Sequence, residues 1–289
     1  MSKDVLQIIQ SNMSSFSKGQ KRIAAFIQSS YDKAAFMTAS KLGKTVSVSE
    51  STVVRFAAEL GYDGYPAMQK ALQEMIRSKL TSVQRIEVAN ERIGDQDVLG
   101  MVMQSDIEKI RMTMEETDRS AFSGAVDAIV AAKRIYILGV RSSYAISSLL
   151  GFYFNLIFDN VVPVHSNSAS EMFEHLVRVG EGDVVIGVSF PRYSRRTVQA
   201  LRFASDRKAT VIAITDSVDS PLAERATHTL VAKSDMVSFV DSLVAPLSLI
   251  NALIVAVSRK KKDDLGRTFE SLEEIWEEYE VYEKVKHET

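Results

Sequence analysis

The sequence contains no cysteine, only five prolines and a single tryptophan in 289 residues. Without cysteine, the chain can form neither a disulfide framework nor a thiolate site for zinc or redox chemistry. Its histidines are scattered and lack the HxxxH spacing of metal ligands, so we expect no bound metal and no cofactor. The four are His165, His175, His228 and His287.

Long apolar runs are also missing. None approaches the ~18 to 20 residues of a membrane span. The N-terminal stretch MSKDVLQIIQSNMSSFSKGQKR has no uninterrupted apolar segment of the kind found in signal peptides. The sequence therefore predicts a soluble, cytoplasmic protein that makes no membrane contact.

Hydrophobic residues make up 46% of the chain and charged residues 25%, which is typical of a globular protein. At about 150 residues per domain, the length predicts two domains. The net charge of −2 is unevenly placed. Residues 1–80 hold eight Lys and three Arg against three Asp and three Glu, a charge of +5, which leaves −7 for the rest. A basic module for a polyanion, joined to a larger acidic body, fits this distribution.

Residues 1–80 show helical periodicity throughout. In the segment SVSESTVVRFAAELG, Ser47 and Glu50 have the spacing of a capping box, and Gly61 stands where a helix would stop. The apolar residues between them recur every three to four positions and predict one buried helix face. These residues are Val53, Phe56, Ala57 and Leu60.

The segments TASKLGKTV and SESTVVRFAAELG, with a tight turn near Ser47, predict a helix-turn-helix. The second helix of this motif enters the DNA major groove by its first turns, where Arg and hydroxyl side chains can reach bases and phosphates. A small helical bundle that contacts another protein is the alternative. The predicted DNA-binding residues are Lys41, Lys44, Ser47, Ser49, Ser51, Thr52 and Arg55, with Lys18, Lys21 and Arg22 as further phosphate contacts.

The pattern changes after Lys133. Five short, β-branched apolar runs alternate with helix-length segments, which is typical of strands buried on both faces of a parallel sheet. The runs are RIYILGV, VVPVHS, DVVIGVS, ATVIAITDS and HTLVA. They predict a doubly wound α/β domain whose ligands bind beyond the carboxyl ends of the strands. The following segment DSLVAPLSLINALIVAVSRKKK is so apolar that we expect a helix buried in the core or at a subunit contact.

The segment ASKLGKTVSVSESTVVRFAAELGYDGYPAMQKAL resembles the N-terminal domain of the RpiR family of bacterial transcription regulators. Residues 120–260 resemble that family's second part, a SIS (sugar isomerase) domain. The resemblance implies an all-helical DNA-binding domain and an α/β/α sandwich with a five-stranded parallel sheet. It also implies binding to double-stranded operator DNA, an anionic effector that is typically a sugar phosphate, and a homodimer or homotetramer formed through the SIS domain.

Two loops match the ligand loops of SIS domains with departures. In ILGVRSS, Gly139 and Ser143 match G-x-G-x-S, but Arg141 stands in place of the second glycine. In SFPRYSRRT, three hydroxyls match the pattern while Pro191 and Arg192 replace a serine and a glycine. The lost amide donors could be offset by guanidinium groups, which bind phosphate or carboxylate in a two-pronged way. The predicted ligand-binding residues are Gly139, Arg141, Ser142, Ser143, Ser189, Arg192, Ser194, Arg195 and Thr197.

Several alternatives stay open at this point. The arginines of the second loop could extend into solvent or pair with acids such as Glu171 or Asp216. The rival function is a sugar-phosphate isomerase or lyase, whose base would be His165, Glu171 or His175. A scaffold without a ligand is a third reading. We expect a non-enzyme with a helix-turn-helix domain at 1–80, a linker at 81–105, a SIS domain at 106–265 and an acidic helix at 266–289.

Overall fold

A computed structural model of the chain describes residues 5–79, 81–93, 97–164, 168–234 and 240–283. The chain divides into two compact units, residues 1–109 with 234–243 and residues 110–233 with 244–289. Helices run across two of the boundaries expected from sequence, those at 105 and 265, and the domain limits stay predictions. Over the described ranges, no helix has the length and apolar character needed to cross a membrane.

The first unit is helical, as the sequence predicts. Its core is formed by side chains such as Ile23, Ile27, Leu42, Phe56 and Met68, all fully buried. The 3.6-residue period places them on the inner faces of successive helices. These helices are α1 (Val5–Asn12), α2 (Lys18–Ser29), α3 (Tyr31–Ala34), α4 (Ala39–Thr45), α5 (Glu50–Glu59), α6 (Gly64–Lys79), α7 (Ser82–Ile93) and α8 (Val98–Glu116), the last of which continues into the second unit.

The turn between α4 and α5 corrects the predicted capping box of Ser47 and Glu50. Ser47 has φ of 55° and ends α4: its N–H donates to the carbonyl of Lys44, and Val48 N–H donates to the carbonyl of Gly43. These two bonds form a Schellman motif. Ser49 is the N-cap of α5 instead, and its Oγ accepts the N–H of Thr52 at 3.3 Å.

The end of α5 is as predicted. Gly61 has φ of +86°, a conformation that favours glycine, and directly follows the C-cap Leu60. Val53, Phe56 and Ala57 lie fully buried on the inner face of this helix.

The second unit contains a five-stranded parallel sheet, as predicted, with strand order β2-β1-β3-β4-β5. Its strands are β1 (Ile135–Gly139), β2 (Val161–Val164), β3 (Val184–Val188), β4 (Thr210–Thr215) and β5 (His228–Val231). β1 and β3 are buried along their whole length because helices cover both faces. The helices are α9 (Arg119–Ala131), α10 (Ser142–Ile157), α11 (Ala169–Leu176), α12 (Arg195–Asp206), α13 (Val244–Lys260) and α14 (Lys262–Glu278).

α11 and α12 contact each other on one side of the sheet, while α13 contacts α9 and α10. The apolar helix predicted near residue 250 is α13. It buries one side only, with Ala245, Leu249, Ile250 and Leu253 facing its neighbours, whereas Val255 is 57% exposed. The expected burial is therefore confirmed for one face of this helix.

Candidate functional site

The strand order reverses direction between β1 and β3, which lie side by side in the sheet. Gly139 at the end of β1 pairs with Val188 at the end of β3. Parallel neighbours lie about 4.8 Å apart, so the turns after these strands start next to each other. Such a reversal opens a crevice at the carboxyl edge of a doubly wound sheet, where ligands bind. Both predicted ligand loops begin here.

The first loop connects β1 to α10 through Val140 and Arg141. Gly139 is a close-packing position, because a Cβ there would lie 2.6 Å from the carbonyl oxygen of Ser143 and 2.7 Å from Ser147 Oγ. Ser142 is exposed at the first position of α10, while Ser143 is buried behind it. The N–H groups of this first turn form the positive end of the helix dipole.

Arg141 has an unusual backbone conformation, with φ of 60° and ψ of −127°. An L-residue is strained there, and a glycine would not be. The side chain is exposed, and within the described residues it makes no ion pair or side-chain hydrogen bond. The loop thus keeps a glycine-like backbone while adding a guanidinium group at the crevice.

The second loop connects β3 to α12 and is held by its own hydroxyls. Ser189 is buried, and its Oγ accepts the N–H of Ser194 at 3.0 Å. Ser194 is the N-cap of α12, and its Oγ accepts the N–H of Thr197 at 3.3 Å. Each hydroxyl still has a proton to donate. These contacts bring the predicted Ser189, Ser194 and Thr197 together.

Thr197 carries a notable polar atom. Its side chain is fully buried, and Oγ1 has no hydrogen-bond partner among the described residues. A buried hydroxyl without a partner is uncommon because it costs about 1–3 kcal/mol of desolvation. It lies in the first turn of α12, directly behind the second loop.

The arginines differ from these hydroxyls in exposure. Arg192, Arg195 and Arg196 all have exposed side chains at or next to the start of α12. With Arg141 from the other loop, they place positive charge around two helix N-termini. An anion is the ligand that this arrangement can bind.

Sequence reasoning did not find a side-chain pair at the same edge. Tyr193 Oη donates to Asp216 Oδ1 at 2.7 Å, and Asp216 lies directly after β4. From sequence alone, Asp216 is expected only as an acid that could pair with the arginines of the second loop. The available signal was its position at the carboxyl end of a buried strand.

The candidate catalytic bases lie on or before α11. Glu171 and His175 are both exposed on this helix, and His165 falls outside the described residues. Within the residues that the structure describes, no group of three or more His, Cys, Asp or Glu side chains could hold a metal ion.

The other candidate site is the start of α5. Ser51 and Arg55 are exposed one helical turn apart, and Arg55 Nε donates to the carbonyl of Ser51 at 3.3 Å. Ser49 Oγ lies 2.9 Å from Ser51 Oγ and 2.8 Å from Thr52 Oγ1, so its oxygen serves the cap and a local hydroxyl cluster. Lys41 and Lys44 are exposed on α4, and Ser47 is exposed in the turn.

The start of α2 lies against the same turn. A Cβ at Gly19 would be 3.5 Å from Val48 and 3.6 Å from Thr52. The neighbouring basic residues, Lys18, Lys21 and Arg22, are exposed. The structure therefore brings the basic start of α2 next to the first turn of α5.

Comparisons with known proteins agree with this two-part organisation. Residues 3–79 match the helix-turn-helix domain of the rpiR family, and residues 128–256 match the SIS domain. The chain is 27% identical over 280 residues to the transcriptional regulator HexR of Escherichia coli strain K12, covering 94% of this chain and 95% of that protein. It is 25% identical over 281 residues to HexR of Pseudomonas aeruginosa, covering 93% and 96% of the two chains.

Solved structures show the same fold. The sugar isomerase domain of the RpiR transcription factor from Sphaerobacter thermophilus superposes with a TM-score of 0.59 at 28% identity, covering 62% of this chain and 99% of that one. Vibrio vulnificus NanR, solved in complex with ManNAc-6P, gives a TM-score of 0.58 at 24% identity over 94% and 98% of the two chains. With an rpiR helix-turn-helix domain followed by a SIS domain, the chain belongs to the RpiR family of transcriptional regulators.

Proposed function

We propose that this regulator binds operator DNA through α5 and adjusts its DNA affinity to an anionic metabolite bound where β1 and β3 end. The metabolite is a phosphorylated sugar or a related anion. The observation that carries this proposal is the buried Thr197 hydroxyl, which has no partner among the described residues and lies at a helix N-terminus beside exposed arginines. A phosphate or carboxylate oxygen would accept its proton.

We expect both loops to bind the effector, through backbone N–H groups and through arginine side chains. The N–H groups at the starts of α10 and α12 offer fixed donors in line with the helix dipoles. Arg141 and Arg192 add exposed guanidinium groups, which can bind phosphate or carboxylate with two parallel hydrogen bonds. The effector is therefore held by its charge from both sides of the crevice.

The DNA-binding part of the proposal depends on α5. Its exposed first turns carry Ser51 and Arg55, which suit base edges and phosphates. The exposed lysines of α2 and α4 surround this helix with positive charge, which supports salt-dependent attraction to the DNA backbone.

Effector and DNA are coupled through association of two chains. A two-fold operator requires two recognition helices, and we propose a homodimer or homotetramer formed through the SIS domain. Exposed apolar side chains on the adjacent helices α10 and α13, namely Phe152, Tyr153 and Val255, support such a contact. The effector changes DNA affinity only by binding the arrangements of the dimer unequally.

Arg55→Ala tests the DNA-binding surface. We expect affinity for the DNA upstream of the protein's own operon to fall about 5- to 100-fold, the range for one lost base or phosphate contact. Fluorescence anisotropy at several salt concentrations measures both affinity and salt slope. Arg225→Ala removes an exposed arginine in the second unit and should leave both values unchanged. Unchanged binding in Arg55→Ala would exclude α5 as the recognition helix.

Thr197→Val tests the effector site with little change of shape. Because the Thr197 hydroxyl has no partner among the described residues, the variant should be at least as stable as the parent without ligand. The thermal shift produced by a panel of sugar phosphates, sugar acids and neutral sugars should shrink.

Thr227→Val is the matched control. The Thr227 hydroxyl accepts the N–H of Val211 at 3.2 Å, so this variant should lose stability and keep the ligand-induced shift. If Thr197→Val and Thr227→Val show the same ligand-induced thermal shift, Thr197 does not contact the effector. The panel also tests the absence of catalysis: turnover of a sugar phosphate that Glu171→Ala abolishes would show an enzyme.

A further inference from the structure

The connection between β5 and α13 begins at the same edge of the sheet as the two ligand loops. All strand pairs are parallel, so the carboxyl end of β5 lies at that edge. Ala232, the first residue after β5, donates its N–H to the carbonyl of Thr215 at 2.8 Å. Thr215 directly precedes Asp216, which accepts a hydrogen bond from Tyr193 of the second loop. Two hydrogen bonds and one peptide bond therefore join the second ligand loop to the start of this connection.

Helix α8 holds the start of the connection. The backbone N–H of Lys233 donates to Thr113 Oγ1 at 2.9 Å, and the ammonium group of Lys233 forms an ion pair with Glu116. Thr113 is buried, where a hydroxyl needs a polar partner to offset its lost hydration. Both Thr113 and Glu116 lie in the last turn of α8. This turn is therefore fixed to the chain that leaves the sheet.

The other end of the connection is held by α7 and α8. Residues Ser234–Leu243 belong to the first unit by their contacts, although they lie between β5 and α13 of the second unit in sequence. Ser242 donates its hydroxyl to Asp106 of α8 at 2.6 Å, and Asp241 forms an ion pair with Arg85 of α7 at 2.9 Å. Arg85 is 4% exposed. A cation buried this deeply needs its partner, so the ion pair fixes the connection to α7.

The buried side of α8 is polar. Lys109 and Thr113 are the residues that α8 buries, while large apolar side chains such as Met103 are exposed. Lys109 Nζ lies 3.7 Å from Asp106 Oδ1 and donates to Ser105 Oγ at 2.6 Å. An amphipathic helix normally buries its apolar side. α8 instead buries groups that form hydrogen bonds and ion pairs, and these groups hold the connection.

We propose that effector binding is transmitted to the DNA-binding helices through the connection between β5 and α13 and through α8, which holds this connection at both ends. The inference rests on the proposed function and names the residues that couple its two sites. α8 is one unbroken helix of 19 residues that begins in the first unit and ends in the second. A shift of the second loop moves Asp216 and the start of the connection, and Thr113 passes the shift to α8. Thr113, Glu116 and Ser242 are thus positioning residues.

The coupling between effector and DNA is the quantity that tests this proposal. It is the ratio of the DNA dissociation constants with and without effector, measured by fluorescence anisotropy on the full chain with the DNA upstream of its own operon. The probe is the compound of the panel above that gives the largest thermal shift. Thr113→Val, Glu116→Gln and Ser242→Ala should each move this ratio at least about 2-fold towards one. The affinity for DNA alone and the affinity for effector alone should stay close to the parental values.

Matched controls remove the same groups elsewhere. Thr227→Val removes a threonine hydroxyl that also accepts a backbone N–H, but directly before β5, at the opposite edge of the sheet. Glu115→Gln changes the residue next to Glu116 and breaks an ion pair with Arg111 that lies within α8 itself. Both controls should keep the parental ratio.

Two results would overturn the proposal. Parental ratios in all three variants would show that the connection does not couple the two sites. An equal loss of coupling in the controls would show a general effect of lower stability. Thermal unfolding checks that each variant is folded, and the exposed Glu116→Gln decides the question if Thr113→Val does not fold. If the effector leaves the DNA affinity of the parent unchanged, the proposed function itself is wrong, and this inference falls with it.

Discussion

The phenol of Tyr193 donates a 2.7 Å hydrogen bond to Asp216, joining the loop after β3 to the residue that follows β4. Asp216 is buried, and its carboxylate also receives the hydroxyl of Thr215 at 3.3 Å. A buried carboxylate needs such donors to offset its lost hydration. The bond therefore fixes the loop that carries Arg192 and Ser194 against the edge of the sheet.

Tyr193→Phe should destabilise the second unit by about 1–3 kcal/mol, because it removes a donor from a buried charged acceptor. It should also weaken effector binding, since the loop loses its tie to β4. Thermal unfolding with and without effector measures both effects. Tyr279→Phe is the control, because that tyrosine is 72% exposed after the end of α14. Equal behaviour of the two variants would show that the Asp216 bond does not hold the loop.

Arg141→Gly should stabilise the protein and weaken its effector binding. The φ of 60° at Arg141 is strained for any residue with a Cβ, and relief of such strain is worth about 1–2 kcal/mol. The same change removes a guanidinium from the crevice. Thermal unfolding should show a higher melting temperature for Arg141→Gly, and effector titration should show a lower affinity.

Arg141→Lys separates the two causes. It keeps a Cβ and a positive charge, so stability should stay at the parental value, while the two-pronged contact with an anion is lost. If Arg141→Gly is destabilising, the backbone strain assigned to this loop is wrong.

Asp183→Asn should reduce stability without affecting the effector. Arg134 donates to both carboxylate oxygens of Asp183, at 3.2 and 3.0 Å, and Gly180 N–H donates to Oδ2 at 3.0 Å. Asp183 lies directly before β3, at the edge opposite the ligand loops. Loss of these charge-assisted bonds should cost about 1–3 kcal/mol. A smaller effector-induced thermal shift in this variant would contradict the separation of the two edges.

The parallel sheet can be predicted from the sequence because each strand is marked by its own residues. Runs such as VVIGV and TVIAIT are β-branched and apolar at nearly every position, which is typical of strands covered on both faces. The positions of the ligand loops then follow from the carboxyl ends of those strands. The predicted cap of α5 is wrong by two residues because Ser47 and Ser49 each precede an acidic or hydroxyl residue by three positions, Glu50 and Thr52. The local pattern could not show which serine takes the positive φ.

Other features of the site depend on contacts distant in sequence. Asp216 accepts a hydrogen bond from Tyr193, which lies 23 residues earlier in the chain. The burial of the Thr197 hydroxyl depends on the packing of α12. On α8, periodicity shows that apolar residues share a face, but it cannot show that this face is exposed. That requires knowing that Lys109 and Thr113 point inward.

Tyr65 should lose its phenolic proton at a higher pH than an ordinary tyrosine. Its side chain is buried in the first unit, and its hydroxyl donates to the carbonyl of Met37 at 2.7 Å. Burial raises the pKa of Tyr65 from 10.0 to about 12. Because the folded value is the higher one, the neutral phenol contributes its full stability below pH 10. That contribution, about 3 kcal/mol for two pKa units, is lost as the pH rises towards 12.

Absorbance of the phenolate measures this directly in the folded protein. The chain has nine tyrosines, and burial raises the pKa of two of them, Tyr65 and Tyr136, so we expect a late component to which Tyr65 contributes near pH 12. Tyr65→Phe should reduce the amplitude of that late component by one phenolate, and Tyr153→Phe, which changes an exposed phenol, should leave it in place. An unchanged late amplitude in Tyr65→Phe would contradict the raised pKa of this phenol.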